Sequence, residues 1–379
     1  PTNHTGTYPN TGTTVVTYEY VRNDAGNVIV NFVEQGTNTP LKSPVTMNGA
    51  GKLGLPYTTT PDTFANYELV SATPTNHTGN YPPAGNDITV TYVYRRKNAG
   101  NITVNHYEVG GSTQLYTPLG AAAPSAETFN GTGKLGLAEN LTNKAADIAN
   151  YEYVSVDVTG ASGASTPTAT GATNVTYQTG NQVVTYRYKR KDAANITVHH
   201  YIDGTTTELY TPAGATSPGP ETINGSGKLG LTENLTNRSA DIANYEFVNV
   251  EVTAAPGAST PTATGATGVT YRAGTQTVTY RYRRKNAANI TVHHYEDGTT
   301  TELYSPTGGT PGAVTISGAG KLGLTENLTN QAANIANFEY VSVDISGAPS
   351  ATSPSSTGET TLTHRTTAQT VIYKYKRKD

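Results

Sequence analysis

The stretch Asn195-Ile196-Thr197-Val198-His199-His200-Tyr201-Ile202-Asp203-Gly204 decides how this chain is read. Ile196, Val198 and His200 alternate with Thr197, His199 and Tyr201. A period of two sends alternate side chains to opposite faces, so the stretch is a predicted strand with one apolar face. Asp203-Gly204 then signals a tight hairpin turn, and residues 206–210 continue as a second predicted strand. Residues 214–225 are rich in Pro, Gly, Ser and Thr and read as loop. Residues 227–231 are Gly-Lys-Leu-Gly-Leu. After them, residues 232–243 fit a short helix, with Thr232 as N-cap and Leu235, Ser239 and Ile242 on one side. Residues 245–250 and 277–282 are further predicted strands, separated by a Pro/Gly/Thr-rich loop. The result is a mixed sheet of four or five strands with at most one short helix.

The same order recurs along the chain. Opening strands begin at Asn27, Asn101, Asn195 and Asn289, and Gly-Lys-Leu-Gly-Leu returns at residues 51–55, 133–137 and 320–324. Aromatic strands start at Tyr67, Tyr151, Tyr245 and Phe338, and each block closes on a Tyr-X-Tyr ending at Tyr94, Tyr188, Tyr282 or Tyr375. Ile102, Ile196 and Ile290 are spaced by 94 residues, whereas Val28 precedes Ile102 by only 74. The first block is thus a shorter relative whose deficit lies in loops, where indels cost little. Residues 1–20 nearly repeat residues 74–94. The expected organisation is therefore residues 1–22 as the tail of a preceding repeat, 23–96 as a short repeat, and 97–190, 191–284 and 285–379 as three longer ones. The closing Tyr pairs share a face and are expected to complete each core, including Tyr18/Tyr20, with an aromatic platform for a sugar ring as the alternative. In the first repeat, Pro56 to Pro61 points to an irregular turn in place of the helix.

Composition agrees with many small cores. Of 379 residues, 35% are hydrophobic and 14% charged; Tyr numbers 26, against 5 Phe and no Trp. Tyr buries its ring while its hydroxyl stays hydrated, which suits thin domains. The absence of Cys excludes disulfides and thiol chemistry. Together with abundant Thr and Asn, it points to the exterior of a Gram-positive bacterium. No apolar run approaches the ~20 residues that span a bilayer. The chain reads as a fragment whose targeting and anchoring signals lie elsewhere.

These residues resemble a known family. A valine-rich strand ending in Phe32, Gly51-Lys52-Leu53-Gly54, Tyr57-Thr58-Thr59, Ala65-Asn66-Tyr67-Glu68-Leu69-Val70 and Val90-Thr91-Tyr92-Val93-Tyr94 follow the order of the MucBP (mucin-binding protein) repeat of wall-anchored surface proteins. The resemblance is clearest over residues 23–96. It implies that the repeats are small β-grasp (ubiquitin-like) domains, in keeping with the α+β, β-rich class read from the strands, while the period of 74 to 94 residues, long enough for each repeat to bury its own core, reads as beads on a string. It also implies an adhesin at the bacterial cell wall surface, with host mucin or glycoprotein glycans as partner and wall attachment through an anchor outside this fragment.

Candidate sites are few. His106, His200 and His294 stand where Phe32 stood, so they read as structural; His199 and His200 face opposite ways and cannot share one metal ion. No Asp-rich calcium loop forms. Lys52, Lys134, Lys228 and Lys321 read as stems covering a sheet face, with a covalent Lys link to Asn150 or Asn244 as the alternative. Basic clusters mark each junction: Arg95-Arg96-Lys97, Lys189-Arg190-Lys191, Arg283-Arg284-Lys285 and Lys376-Arg377-Lys378. The first three are the candidate contacts for anionic glycans, against a reading as solvated strand ends. With net charge −3, nucleic acid is not an expected partner. No nucleophile and base recur together, and no cofactor or metal is expected. The leading expectation is a non-enzymatic adhesin; the alternative is a stalk that only projects a distal domain.

Overall fold

The protein is described by a computed structural model covering residues 4–70, 73–160, 168, 170–254, 262–348, 351 and 354–379. Residues 1–3 of the expected tail, and residues 255–261 of the loop before the third repeat's last strands, lie outside the described residues. The chain divides into two units, Pro1–Lys189 and Arg190–Asp379.

The first unit opens with β1 (Val28–Glu34), β2 (Pro40–Met47), β3 (Pro56–Thr58), β4 (Tyr67–Leu69), β5 (Thr78–Asn80) and β6 (Ile88–Arg96). These form a sheet in the order β2-β1-β6-β4 and a separate two-stranded arm, β3-β5. The pattern returns with β7 (Ile102–Glu108), β8 (Glu127–Phe129), β9 (Ala138–Leu141), β10 (Tyr151–Thr159), β11 (Thr173–Thr176) and β12 (Gln182–Arg190). Residues 4–22 join no sheet, and Tyr18 and Tyr20 are 57% and 89% exposed. That pair therefore closes no core here, unlike its counterparts.

The second unit repeats the motif twice. Its strands are β13 (Ile196–Ile202), β14 (Glu221–Ile223), β15 (Thr232–Leu235), β16 (Tyr245–Thr253), β17 (Thr267–Thr270) and β18 (Gln276–Arg284). The second copy has β19 (Ile290–Glu296), β20 (Val314–Ile316), β21 (Thr325–Leu328), β22 (Phe338–Ser346), β23 (Thr360–Thr363) and β24 (Gln369–Arg377). The sheet order is β14-β13-β18-β16, with β15-β17 as the arm.

In each motif the first and last strands lie side by side and parallel at the sheet centre, in register from Ile196/Gln276 to Ile202/Tyr282. Antiparallel strands flank them. A parallel pair needs a long crossover, here supplied by the arm and the outer strands. Alternate residues of the central pair build the core: Ile196, Val198, Val278, Tyr280 and Tyr282 are all buried. The Tyr pairs of the four motifs thus face inward. Gly225 lets two backbones meet, since a Cβ would press into the Ala194 carbonyl.

The expected helix over residues 232–243 does not form. Thr232–Leu235 is instead a strand, paired with Thr267–Thr270. Cross-strand pairing against buried Val269 and Tyr271 outweighs the local helical spacing. Leu235 and Ile242 still reach the core, the second through a turn in which the Arg238 carbonyl accepts from the Asp241 and Ile242 amides at 2.9 and 3.0 Å. The helical element among the described residues is one 3-10 turn, Ala332–Asn334. The α component of the expected α+β class is therefore corrected: the fold is β-rich. Two further expectations change. Residues 206–210 make only a bridge, Tyr201 to Glu208, because Glu208 turns back to bond His199 and the His200 amide. The Pro/Gly-rich loop holds β14, whose Ile223 packs on the core. In the first repeat, Pro56–Thr58 is strand rather than irregular turn, because Tyr57 is buried in the arm.

Candidate functional site

The basic clusters split by strand face. Neighbours in a strand point opposite ways, and the consequence is plain at Arg95 and Arg96. Arg95 pairs with Glu68 across the strands at 2.6 Å and remains 62% exposed. Arg96 turns inward. Its guanidinium lies 4.5 Å over the Tyr67 ring and bonds that residue's hydroxyl. It also donates to the Leu135 carbonyl, 3.1 Å away in the next Gly-Lys-Leu-Gly-Leu segment. In the second unit Arg283 pairs with Glu246 at 2.6 Å. Arg284 stacks on Tyr245 at 4.6 Å, bonds its hydroxyl at 2.8 Å and donates to the Leu322 carbonyl at 2.9 Å. Arg190 reaches the Leu229 carbonyl at 3.0 Å, and Arg22 the Leu53 carbonyl at 3.0 Å.

The Gly-Lys-Leu-Gly-Leu segment is thus a socket for an arginine from the preceding motif. Backbone bonds complete it. In the second unit the Leu322 amide donates to the Lys285 carbonyl at 3.1 Å, the Lys285 amide to the Asn244 carbonyl at 2.8 Å, and the Gly320 amide to Asn286 Oδ1 at 2.9 Å. In the first unit Leu135, Lys97 and Gly133 repeat these contacts with Lys97, Asn66 and Asn98. Gly323 has φ +80 and lies against the Asn244 carboxamide, so a side chain there would both strain the backbone and collide.

Among the remaining candidates, Lys189 pairs with Glu152 at 2.9 Å and is 63% exposed, and Lys97 Nζ donates to the Ala65 carbonyl at 3.1 Å. The Lys191 carbonyl accepts the Leu229 amide at 3.1 Å. Arg95, Lys189 and Arg283 therefore remain largely exposed, while Arg96 and Arg284 are each turned into the adjoining motif of their own unit and Arg190 is bonded to Leu229 within the second unit.

Each long motif also buries a histidine. His200 stacks on Tyr280 with centroids 5.5 Å apart, its Nδ1 is 3.0 Å from the Tyr282 hydroxyl and its Nε2 is 2.9 Å from Glu221. Burial pushes the His200 imidazole below its ordinary range, against the raising effect of Glu221. Burial also raises Glu221, but hydrogen bonds from Arg238 and His200 outweigh it and leave its carboxyl low. His106 makes the same contacts with Tyr188 and Glu127. His294 keeps Tyr375 at 2.9 Å, but Val314 occupies the carboxylate's register position. The histidine of each long motif's main sheet is a core residue.

Three of the four recurrent lysines, Lys52, Lys134 and Lys228, cover tyrosine rings. Lys134 lies 4.9 Å over Tyr177, with the hydroxyl at 3.1 Å and Glu139 at 3.3 Å. Lys228 repeats this with Tyr271 and Glu233. In the fourth motif His364 replaces the tyrosine and bonds Glu326 at 2.9 Å, beside Lys321. Asn244, offered by the sequence as a covalent partner for lysine, instead holds positive φ at the junction.

The MucBP domain model matches residues 27–95, 119–189 and 195–283, more than half of the chain. The chain belongs to the MucBP family. Its MucBP repeats are similar to Internalin J of Listeria monocytogenes serotype 4b (strain F2365), 30% identical over 90% of this chain and 33% of the relative. Internalin J of serovar 1/2a (strain EGD-e) is 35% identical over 35% of this chain and 14% of its own. The chain thus spans about a third or less of the curated relatives it matches. Among solved structures, the Bacillus anthracis TIE protein aligns with TM-score 0.38 and 8% identity over 76% of this chain and 52% of its own. The type 2 repeat of the mucus binding protein MUB from Lactobacillus reuteri aligns with TM-score 0.15 and 14% identity over 44% of this chain and all of its own.

Sequence reading missed Arg22, Asn66 and Asn244 as junction residues. The recurrent Asn before each aromatic strand, and the near-constant spacing from each cluster to the next Gly-Lys-Leu-Gly-Leu, were the available signals.

Proposed function

We propose that this chain is the repeat region of an extracellular adhesin of a Gram-positive bacterium, whose MucBP repeats contact mucin or glycoprotein glycans without catalysis. Family membership carries this reading. In it, wall attachment comes from a segment outside these residues, and the repeats divide at residues 22, 96, 190 and 284. The central parallel pair flanked by antiparallel strands supports a β-grasp relation, with the helical crossover replaced by a two-stranded arm. Arg95, Lys189 and Arg283 are the proposed first contacts for sulfated or sialylated glycans, joined by Lys97, Lys191 and Lys285. Their exposed ion pairs are worth at most about 1 kcal/mol and open readily for an anion. In this reading Arg96, Arg190 and Arg284 position the junction rather than touch ligand.

The test is binding of the chain to mucin and to sulfated glycans across ionic strength, beside the triple variant Arg95→Ser, Lys189→Ser, Arg283→Ser. The variant should bind more weakly, with a flatter salt dependence. Equal binding at every ionic strength removes the clusters from the site. The second reading is a stalk, favoured by the arginine sockets joining successive repeats; failure of the intact chain to bind mucin or any charged glycan selects it.

A further inference from the structure

One position changes chemical class between the repeats. Leu115-Tyr116-Thr117-Pro118, Leu209-Tyr210-Thr211-Pro212 and Leu303-Tyr304-Ser305-Pro306 correspond to Leu41-Lys42-Ser43-Pro44 in the first repeat. In the longer repeats the tyrosine ring sits edge-on to the buried histidine, with centroids 5.1, 5.1 and 4.9 Å apart. Lys144 and Arg238 cover two of these rings at 5.3 and 5.2 Å. Register places Phe32 where those histidines stand: Phe32 pairs with Tyr92 as His106 pairs with Tyr186.

In the first repeat position 42 carries no ring, although Phe64, from another part of the chain, stands edge-on to Phe32 with centroids 6.0 Å apart. Lys42 reaches over Phe32 at 5.5 Å and pairs with Asp62 at 2.7 Å. A lysine stem is thinner than a phenol ring, and a cleft of about 320 Å³ remains, lined by Val30, Phe32, Val45, Met47, Thr59 and Asp62 among others. Phe64 does not fill it. Its carbonyl accepts the Tyr67 amide as Ile148 accepts Tyr151, so Phe64 is the counterpart of Ile148 and not of Tyr116.

We propose that this cleft receives an aromatic side chain, tyrosine-like in shape, from an extended segment of a partner protein. Three sister repeats fill the same place with their own tyrosine. The cleft supplies what such a ring needs: aliphatic walls, an ammonium above the site for a cation–π contact, and a carboxylate to accept a phenol hydroxyl. It opens beside β2, an edge strand of its sheet, where an extended segment has room to lie. A sugar is the less suited occupant, because the aliphatic walls Val30, Val45 and Met47 leave most of a pyranose's hydroxyls without partners. This site is independent of the charged residues invoked for glycans.

Met47 lines the cleft and is the only methionine in the chain. Methyl-labelled methionine therefore gives one resonance that reports on this cleft in the intact chain. Titration with N-acetyl-tyrosinamide should move it upfield, with saturation, while N-acetyl-leucinamide should not. Lys42→Tyr restores the residue of the sister repeats; it should fill the cleft, abolish the saturable shift and not lower the melting temperature. Asp62→Ala leaves the cleft open and should weaken the probe ~tenfold by removing a charged acceptor. The proposal is overturned by a Met47 resonance that does not saturate with the tyrosine probe, or by an equal response in Lys42→Tyr. Saturation by methyl galactoside or N-acetylneuraminic acid alone also overturns it and assigns the cleft to sugars.

Discussion

Single residues set how these repeats respond to acid. His294 is buried beside Tyr373 and Tyr375 without a carboxylate at the register position that Glu221 holds in the third repeat. Burial holds its imidazole down to about 4, with Glu302 raising it and His293 lowering it further. An unfolded histidine keeps its ordinary value near 6.5, so the unfolded chain takes up the proton first. Stability from this group is therefore complete above about pH 6.5 and falls as pH drops toward 4, by ~3 kcal/mol across the window. Thermal melts between those limits should show that loss, and His294→Phe, which installs the residue found at position 32, should reduce it, leaving the part carried by buried His106 and His200. A melt of the parent chain that does not change with pH would count against a buried neutral His294. Tyr280 is another decisive residue. It is fully buried, burial lifts its phenol to about 12, and its hydroxyl has no protein partner among the described residues. Tyr280→Ala should cost ~3–5 kcal/mol, while Tyr280→Phe should leave stability unchanged or raised. The contrast is Tyr92→Phe, which loses a 2.9 Å bond to Thr59 and should cost about 1 kcal/mol. A wild-type melt for Tyr280→Ala would remove that residue from the core.

Among elements, legibility followed length. The central strands, seven and nine residues long, carry enough alternation for period two to be read unambiguously. Their faces also exposed the role of the histidines, since His200 falls in line with Ile196 and Val198. The four-residue strand Thr232–Leu235 is too short for its period to exclude a helix, and its true partner lies in residues 267–270, far along the chain. Strand β14 spans three residues inside a Pro/Gly-rich loop, and nothing local announces it. The junction was half legible. Arg95 and Arg96 sit on opposite faces, which alternation alone implies, but the carbonyl that receives Arg96 lies 39 residues away. The cleft on the first repeat was also written in sequence, as Lys42 against three tyrosines; its emptiness was not, because that depends on which segment packs above Phe32.

For the molecule, coupling between adjoining repeats is the open quantity. Where neighbours share an interface, stability is the sum of each repeat's own and a nearest-neighbour contribution. Arg96 joins two such repeats within the first unit through stacking on Tyr67 and the bond to Leu135. Arg96→Gln should remove ~1–3 kcal/mol of that coupling and broaden or split the calorimetric transition. Arg95→Gln, losing only an exposed pair, should stay within about 1 kcal/mol of the parent. Identical calorimetric traces for both variants would mean that the socket couples nothing. Multiplicity matters as well: several weak contacts on one chain bind together far more tightly than any one alone.

The central parallel pair has a mechanical consequence. In each repeat the chain enters along the first strand and leaves along the last, and these two run side by side in the same direction over seven residue pairs. Tension applied through the ends drags one strand lengthwise past the other. It must shear the whole ladder of hydrogen bonds together rather than peel them apart in turn. A pull along the chain of such a repeat therefore loads this ladder in shear, so that its resistance is set by seven pairs acting together and not by its modest core alone.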